Sequence, residues 1–331
     1  MTSSNAEQGS DPQAERAASR RRAEHAGPKI ALIGARRARQ GLGPFVARHL
    51  VALGAELPCF LATRPETVGE SERALGARGY TDLRELIARE QPDALAILSP
   101  SETHERYLEA ALEARLHVLC EKPLLWGGSG LARRTARLAE RFAAAGLLLR
   151  ESCQWPYTLP AFRALHPALG PLERFAMRLS PASRDPRQML GDCLSHPLSL
   201  LQALCGESAA RVEDVSIAAQ PGAVQLSFRY RSAAVSLACE VTLRSSDQQP
   251  REAGYGVNGR WAERRIRPGD YAFSFQDGAR TAPAPDPLRE LLRDFLAALP
   301  APGATAPADP AISPRMALLE QILEALPAAR G

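Results

Sequence analysis

Lysine is almost missing from this chain. Of 41 Lys and Arg residues only two, Lys29 and Lys122, are lysines. Arginine has taken the other places where a generic positive charge serves. A lysine kept in that background is a candidate for work arginine cannot do, because arginine holds its proton near neutral pH and a partly buried lysine can release it. Aromatics are also scarce, at 5% of residues. Strong net charge is absent: the formal +4 is spread along the chain, and no basic run is interleaved with aromatics, which argues against a nucleic-acid partner. No apolar stretch reaches the roughly 18 residues a membrane helix needs. The six cysteines are scattered, lack metal-ligand spacing and sit mostly in apolar patterns. They read as small core residues of a reducing cytoplasm, with no metal site expected.

What is present is an ordinary globular composition, 45% hydrophobic and 24% charged, over 331 residues. That length suits two domains, each with its own core. Residues 1–27 form a polar tail without apolar periodicity, expected to be disordered. The run Ser19 to Arg22 has the look of a twin-arginine export signal, but no apolar segment follows it, so a cytoplasmic protein is expected.

From Lys29 onward apolar runs alternate with helical spacing. Ile30 to Gly34, Leu57 to Ala62, Ala94 to Leu98, His117 to Cys120 and Leu147 to Leu149 read as strands. Pro44 to Leu53, Glu66 to Ala77, Asp82 to Glu90, Glu102 to Ala114 and Leu131 to Ala145 read as helices. This rhythm predicts a doubly wound, Rossmann-type parallel sheet with helices on both faces. The pattern then changes to period-two alternation, as in Val224, Leu226, Phe228 and Tyr230, or Tyr271, Phe273 and Phe275. Alternation marks antiparallel strands with one covered face. The expected class is α/β, with residues 28–150 forming the parallel-sheet domain and residues 151–331 an α+β domain with a mostly antiparallel sheet. Helices over Pro287 to Leu299 and Pro314 to Leu326 close the chain.

Lys29 stands at the mouth of the first strand, where an exposed charge is unremarkable. Lys122 directly follows a buried-strand pattern. Ligands of open α/β sheets bind there, outside the carboxyl ends of the strands.

Three segments resemble the glucose–fructose oxidoreductase / inositol dehydrogenase / MocA family. The first is Ile97 to His104, a strand ending in a Ser-Pro turn followed by a histidine. The second is His117 to Leu124, a strand ending in Glu121-Lys122-Pro123. The third is Gly191 to His196, with Asp192 and His196 four residues apart. The resemblance implies an NAD- or NADP-dependent oxidoreductase that interconverts an alcohol and a carbonyl on a sugar, polyol or related small molecule. It points to Lys122, Asp192 and His196 as the catalytic set and to a homodimer or homotetramer. The chemistry agrees. Hydride removal from an alcohol needs a base for the hydroxyl proton, and burial beside a cationic nicotinamide would lower a lysine's pKa. His196 is a natural proton relay. The plainer alternatives are a solvated loop lysine, a helix-terminal histidine and an N-capping Asp192.

The cofactor elements are irregular. A G-x-G-x-x-G loop would follow the first strand, but the run from Gly34 to Gly43 puts Arg36 and Arg39 where the later glycines belong. Gly34, Ala35, Arg36, Gly41 and Gly43 are the candidates for pyrophosphate contacts. After the second strand, Ala62 to Pro65 lacks the carboxylate that would bind an adenosine ribose. Thr63 and Arg64 stand there instead, which favours NADP over NAD. Ser99, Pro100, His104 and Glu121 are further cofactor-side candidates, His104 mainly structural. Gln154, Trp155 and Tyr157 follow the last strand of the first domain and either line a substrate pocket or pack the domain junction. A cofactor-binding sensor without turnover is the alternative function, and the irregular loop is its support.

Overall fold

The computed structural model describes residues 27–34, 42–62, 64–206, 209–267, 272–301 and 303–326. Strands β1 (Lys29–Ile33), β2 (Glu56–Leu61), β3 (Arg78–Tyr80), β4 (Ala94–Ile97), β5 (His117–Cys120) and β6 (Leu149–Glu151) form one sheet in the order β3-β2-β1-β4-β5-β6. Its pairings are all parallel. The order reverses between β1 and β4, the switch point where such sheets bind ligands. Helices α1 (Gly43–Ala52), α2 (Val68–Leu75), α3 (Leu83–Glu90), α4 (His104–Glu113) and α5 (Leu131–Ala144) make the crossovers. β1 shows why these strands read as continuous apolar runs: Ile30 and Leu32 enter one core, Ala31 and Ile33 the other, and all four are fully buried. Asp82 caps α3 by accepting from the Glu85 amide at 3.0 Å, so the expected helix start is its cap. β6 begins two residues later than the apolar run Leu147 to Leu149 suggests.

A 3₁₀ turn (Trp155–Thr158) and α6 (Leu159–Leu165) lead into an eight-stranded sheet. It comprises β7 (Arg174–Leu179), β8 (Ala210–Gln220), β9 (Ala223–Ser232), β10 (Ser236–Arg244), β11 (Ala253–Val257), β12 (Arg260–Ile266), β13 (Phe273–Asp277) and β14 (Arg280–Ala284), in the order β14-β13-β12-β11-β7-β10-β9-β8. Only β7 and β10 pair in parallel; the other pairs are antiparallel. Helices α7 (Pro186–Cys193) and α8 (Ser195–Cys205) lie between β7 and β8. Along β9 Val224, Leu226, Phe228 and Tyr230 are buried, while Gln225, Ser227 and Arg229 are exposed.

The last two helices, α9 (Pro287–Ala298) and α10 (Ile312–Glu324), do not stay with the second sheet. Leu288, Leu291, Leu292 and Phe295 of α9 pack with Val46 and Leu50 of α1 in the core on one face of the first sheet. Burial of a side chain such as Phe295 contributes about 1.5–3 kcal/mol. α10 packs against α5 and α8. The sheets divide at Glu151, yet the chain returns to cover the first sheet at its end. Among the described residues no helix is long and apolar enough to cross a membrane, and all six cysteines are free.

Candidate active site

Lys122 leaves the carboxyl end of β5 and its Nζ donates to the backbone carbonyl of Asp192 at 2.7 Å. That single bond brings the second and third of the family-like segments together. The Lys122–Pro123 peptide is cis. The loop that follows is pinned to α7 by packing: the indole of Trp126 lies so close to Gly191 that a Cβ there would sit 2.5 Å from it. Only glycine allows that approach, and it sets the Asp192 carbonyl over Lys122.

Local sequence explains α7. Asp185 accepts from the Gln188 amide at 2.7 Å, and Pro186 occupies the first turn. Asp192 lies in the last turn of α7, so it is not an N-cap. His196 lies in the first turn of α8, with Leu194 as a helical joint between the two. The Asp192 carboxylate accepts from Gln188 Nε2 at 2.8 Å. Lys122 is therefore held by Asp192 through main chain, and the carboxylate is steered by Gln188.

His196 is partly exposed, but its Nδ1 is enclosed without a hydrogen-bond partner. Burial, reinforced by the positive charges of Lys122 and Arg264, pushes its pKa well below the ordinary 6.5, so the ring is neutral at pH 7. A neutral imidazole can both accept and donate a proton. Trp155 is 6.1 Å from the His196 ring, centroid to centroid, and makes an edge contact with Tyr255 at 5.9 Å. The nearby thiols are not nucleophiles: burial lifts Cys193 to about 12 and also raises Cys120 and Cys153 well above the ordinary thiol range.

The other predicted residues divide. Gly34 has φ +87°, and a Cβ there would lie 2.7 Å from the Leu98 carbonyl and the Ser99 nitrogen. The turn after β1 thus meets the turn after β4. Ser99 bonds the Thr103 hydroxyl at 2.7 Å, and that hydroxyl donates to the Pro100 carbonyl at 2.7 Å. Gly43 opens α1, whose N-terminus has no side-chain cap. His104 is buried, with Nδ1 3.0 Å from the Pro123 carbonyl and Nε2 2.9 Å from the Ser99 carbonyl. It lies between the loop after β4 and the loop of Lys122, with one ring nitrogen within hydrogen-bond distance of a carbonyl of each. Glu121 is half-buried, with Oε1 enclosed and unpartnered. Arg64 is exposed at the end of β2, in a turn that also carries the exposed Glu66. Gln154 precedes the 3₁₀ turn. The Tyr157 hydroxyl donates to Asp294 of α9 at 2.8 Å. Ala35, Arg36, Arg39, Gly41, Thr63 and Tyr271 lie outside the described residues.

Two residues at the cluster escaped the sequence, Arg251 and Arg264. Arg264 stands 5.6 Å over the Trp155 ring. The signal that could have exposed it is an arginine at an inward position of a strand, legible only once β12 is known to be one.

Residues 28–147 match the profile of an oxidoreductase family with an NAD-binding Rossmann fold, GFO_IDH_MocA. This domain belongs to that family. Inositol 2-dehydrogenase of Mycolicibacterium smegmatis is 31% identical over 171 residues, covering 50% of this chain and 48% of that protein. The chain matches about half the length of such curated relatives, 48%, 44% and 45% in three of them. Over about nine-tenths of its length the fold is shared with solved structures of low identity. A 3-ketoreductase from Actinomadura kijaniata in complex with NADP has a TM-score of 0.69 at 18% identity, covering 91% of this chain and 96% of that one. A levoglucosan dehydrogenase in complex with NADH and levoglucosan has a TM-score of 0.66 at 18% identity, covering 90% and 96%.

The neutral His196 has a consequence for stability. In acid the unfolded chain binds a proton there that the folded chain refuses. Its contribution to stability is complete above about pH 6.5 and is lost as pH falls below that, by at most about 1.4 kcal/mol per pH unit. His117, lowered by burial against the opposing pull of Asp93, acts in the same direction. Urea unfolding followed from pH 7 to pH 5 should therefore show a shallower loss of stability in His196→Asn than in the parent. Parallel curves would contradict a His196 ring kept neutral by its surroundings.

Proposed function

We propose that this protein is an NADP- or NAD-dependent oxidoreductase acting on an alcohol or carbonyl of a sugar, polyol or related small molecule. The observation that carries the proposal is Lys122 at the carboxyl end of β5, its Nζ fixed 2.7 Å from the Asp192 carbonyl beside a neutral His196, in a family domain with an NAD-binding fold. The residues fit a dinucleotide. The bare Gly34 lets two strand-end turns meet, and the N-terminus of α1, which has no side-chain cap, presents the Gly43 amide to a pyrophosphate, while the Phe45 and Val46 amides turn back to the Leu42 carbonyl. Gly34, Gly43, Ser99, Pro100 and Glu121 would hold the group, with Ala35, Arg36, Gly41 and Thr63 proposed beside them. When bound, it supplies the hydride acceptor or donor. Lys122 takes the substrate's hydroxyl proton in oxidation and returns it in reduction. The Asp192 carbonyl fixes the ammonium, the Asp192 carboxylate and Gln188 orient substrate hydroxyls, and His196 relays the proton. Trp155 and Gln154 close the substrate side.

NADP is the proposed preference. Arg64 is exposed where the adenosine ribose would lie, and a charge-assisted pair with a 2′-phosphate contributes about 1–3 kcal/mol, or roughly 5- to 100-fold. Arg64→Asp should reverse or abolish that preference, read as the ratio of dissociation constants for NADPH and NADH. An unchanged ratio would mean that Arg64 faces solvent only and that Glu66 beside it has not been outweighed. A homodimer or homotetramer is proposed through the outer face of the eight-stranded sheet, where Gln225, Ser227 and Arg229 are exposed. A monomer mass in sedimentation at micromolar concentration would refute it.

A further inference from the structure

Arg264 breaks the pattern of its strand. It stands in register with the buried Phe275 of β13, two residues from the buried Ala262, and so on the inward face of the sheet. Its guanidinium lies over Trp155, which neighbours His196. Its Nη2 donates to the Arg251 carbonyl at 2.6 Å, but its Nε is enclosed with no partner. Arg251 repeats the situation. Its Nε donates to the Ser246 carbonyl at 3.3 Å, and its Nη2 is enclosed with no partner. Among the described residues neither guanidinium has a carboxylate at ion-pair distance. Two neighbouring cations, each with a shielded N–H unmet, are costly unless an anion pairs with them. Burial drives Arg264 down to about 10, with Glu263 opposing the drop and Arg251 adding to it. Stacking on Trp155 accounts for the ring contact but leaves the enclosed Nε unmet.

We infer that Arg251 and Arg264 bind an anionic oxygen group, carboxylate or phosphate, on the substrate that the Lys122 site handles. This rests on the oxidoreductase reading for the word substrate, while the binding itself does not. The planar fork of arginine matches both groups. The arrangement is directional. An anion held by Arg251 and Arg264 along the Trp155 face places the remainder of a small sugar acid or sugar phosphate toward His196 and Lys122.

The test is calorimetric titration of the full chain, saturated with NADP⁺, with three probes of one skeleton: D-glucose, D-glucuronate and D-glucose 6-phosphate. At least one anion should bind about 10- to 100-fold more tightly than glucose, the range of a charged hydrogen bond. Which anion wins tells carboxylate from phosphate. Arg264→Gln and Arg251→Gln should each erase the difference, and Arg264→Lys should keep part of it. Should Arg264→Gln fail to fold, Arg251→Gln on the loop before β11 decides alone. Equal binding of glucose and both anions, no anion binding, or a preference that survives Arg251→Gln would overturn the inference. Turnover of neutral sugars without anion preference would do so while leaving the oxidoreductase reading intact. Anion binding without turnover on any substrate would do the reverse.

Discussion

Replacing Lys122 with methionine is expected to cut turnover by about 10²- to 10⁴-fold, the usual cost of a lost acid/base group, which is roughly 3–5 kcal/mol of barrier. Folding and cofactor binding should change little. The side chain is half-buried, and among the described residues its hydrogen bond is to the Asp192 carbonyl. Lys122→Arg is the sharper variant. Arginine can keep the bond to Asp192 and the positive charge, but it cannot release a proton. It should be as slow as methionine. A near-normal rate in Lys122→Arg would show that position 122 supplies charge alone. Single-turnover rates at saturating cofactor separate this loss from any change in binding.

The second large effect concerns stability. Arg315 of α10 pairs with Glu151 at the end of β6, Nε to Oε2 at 2.6 Å, with both side chains almost fully buried. Glu151 also accepts from the Leu124 amide at 3.1 Å and the Ser195 hydroxyl at 3.3 Å. Arg315 reaches Gln202 of α8 at 2.6 Å. One carboxylate thus fastens the loop two residues past Lys122, the residue before His196 and the C-terminal helix. Arg315→Met alone leaves that carboxylate buried and unpaired, and should cost about 3–5 kcal/mol in urea unfolding. The double change Arg315→Met with Glu151→Leu should recover much of the loss, because it removes the stranded charge together with its partner. A single change that costs less than about 1 kcal/mol would show that water reaches the pair. The single variant should also slow turnover, since it loosens the two elements that bring Lys122 to Asp192.

The first domain was legible in the sequence because each of its central strands is buried on both faces. Such strands are unbroken apolar runs, and the helices between them carry their own spacing and caps. The strands of the second domain were legible only where one face is wet. β9 and β10 alternate cleanly. β11 does not, because Gly254 and Gly256 stand where alternation would show side chains. β12 is hidden by its charges, which left Arg264 without a face and hence without a function. α9 was found as a helix, but its allegiance to the first sheet follows from a contact with α1 more than two hundred positions away in sequence. No local pattern encodes that. The bond from Lys122 to the main chain of Asp192, with the carboxylate turned to Gln188, was equally hidden, since spacing alone puts an Asp near a Lys without saying which of its oxygens is used. The bond from Tyr157 to Asp294 was hidden in the same way, because the two residues lie far apart in the chain.

Cofactor binding followed by turnover tests the central claim most directly. NADPH and NADH are titrated by nicotinamide fluorescence. The oxidised cofactors are then incubated with a panel of sugars, polyols, sugar acids and sugar phosphates while absorbance at about 340 nm is followed. Saturable binding, and growth of the reduced-nicotinamide signal with at least one class of substrate that disappears in Lys122→Met, is the predicted result. Saturable binding with no turnover across the panel would contradict it and leave a dinucleotide-binding sensor on the same fold.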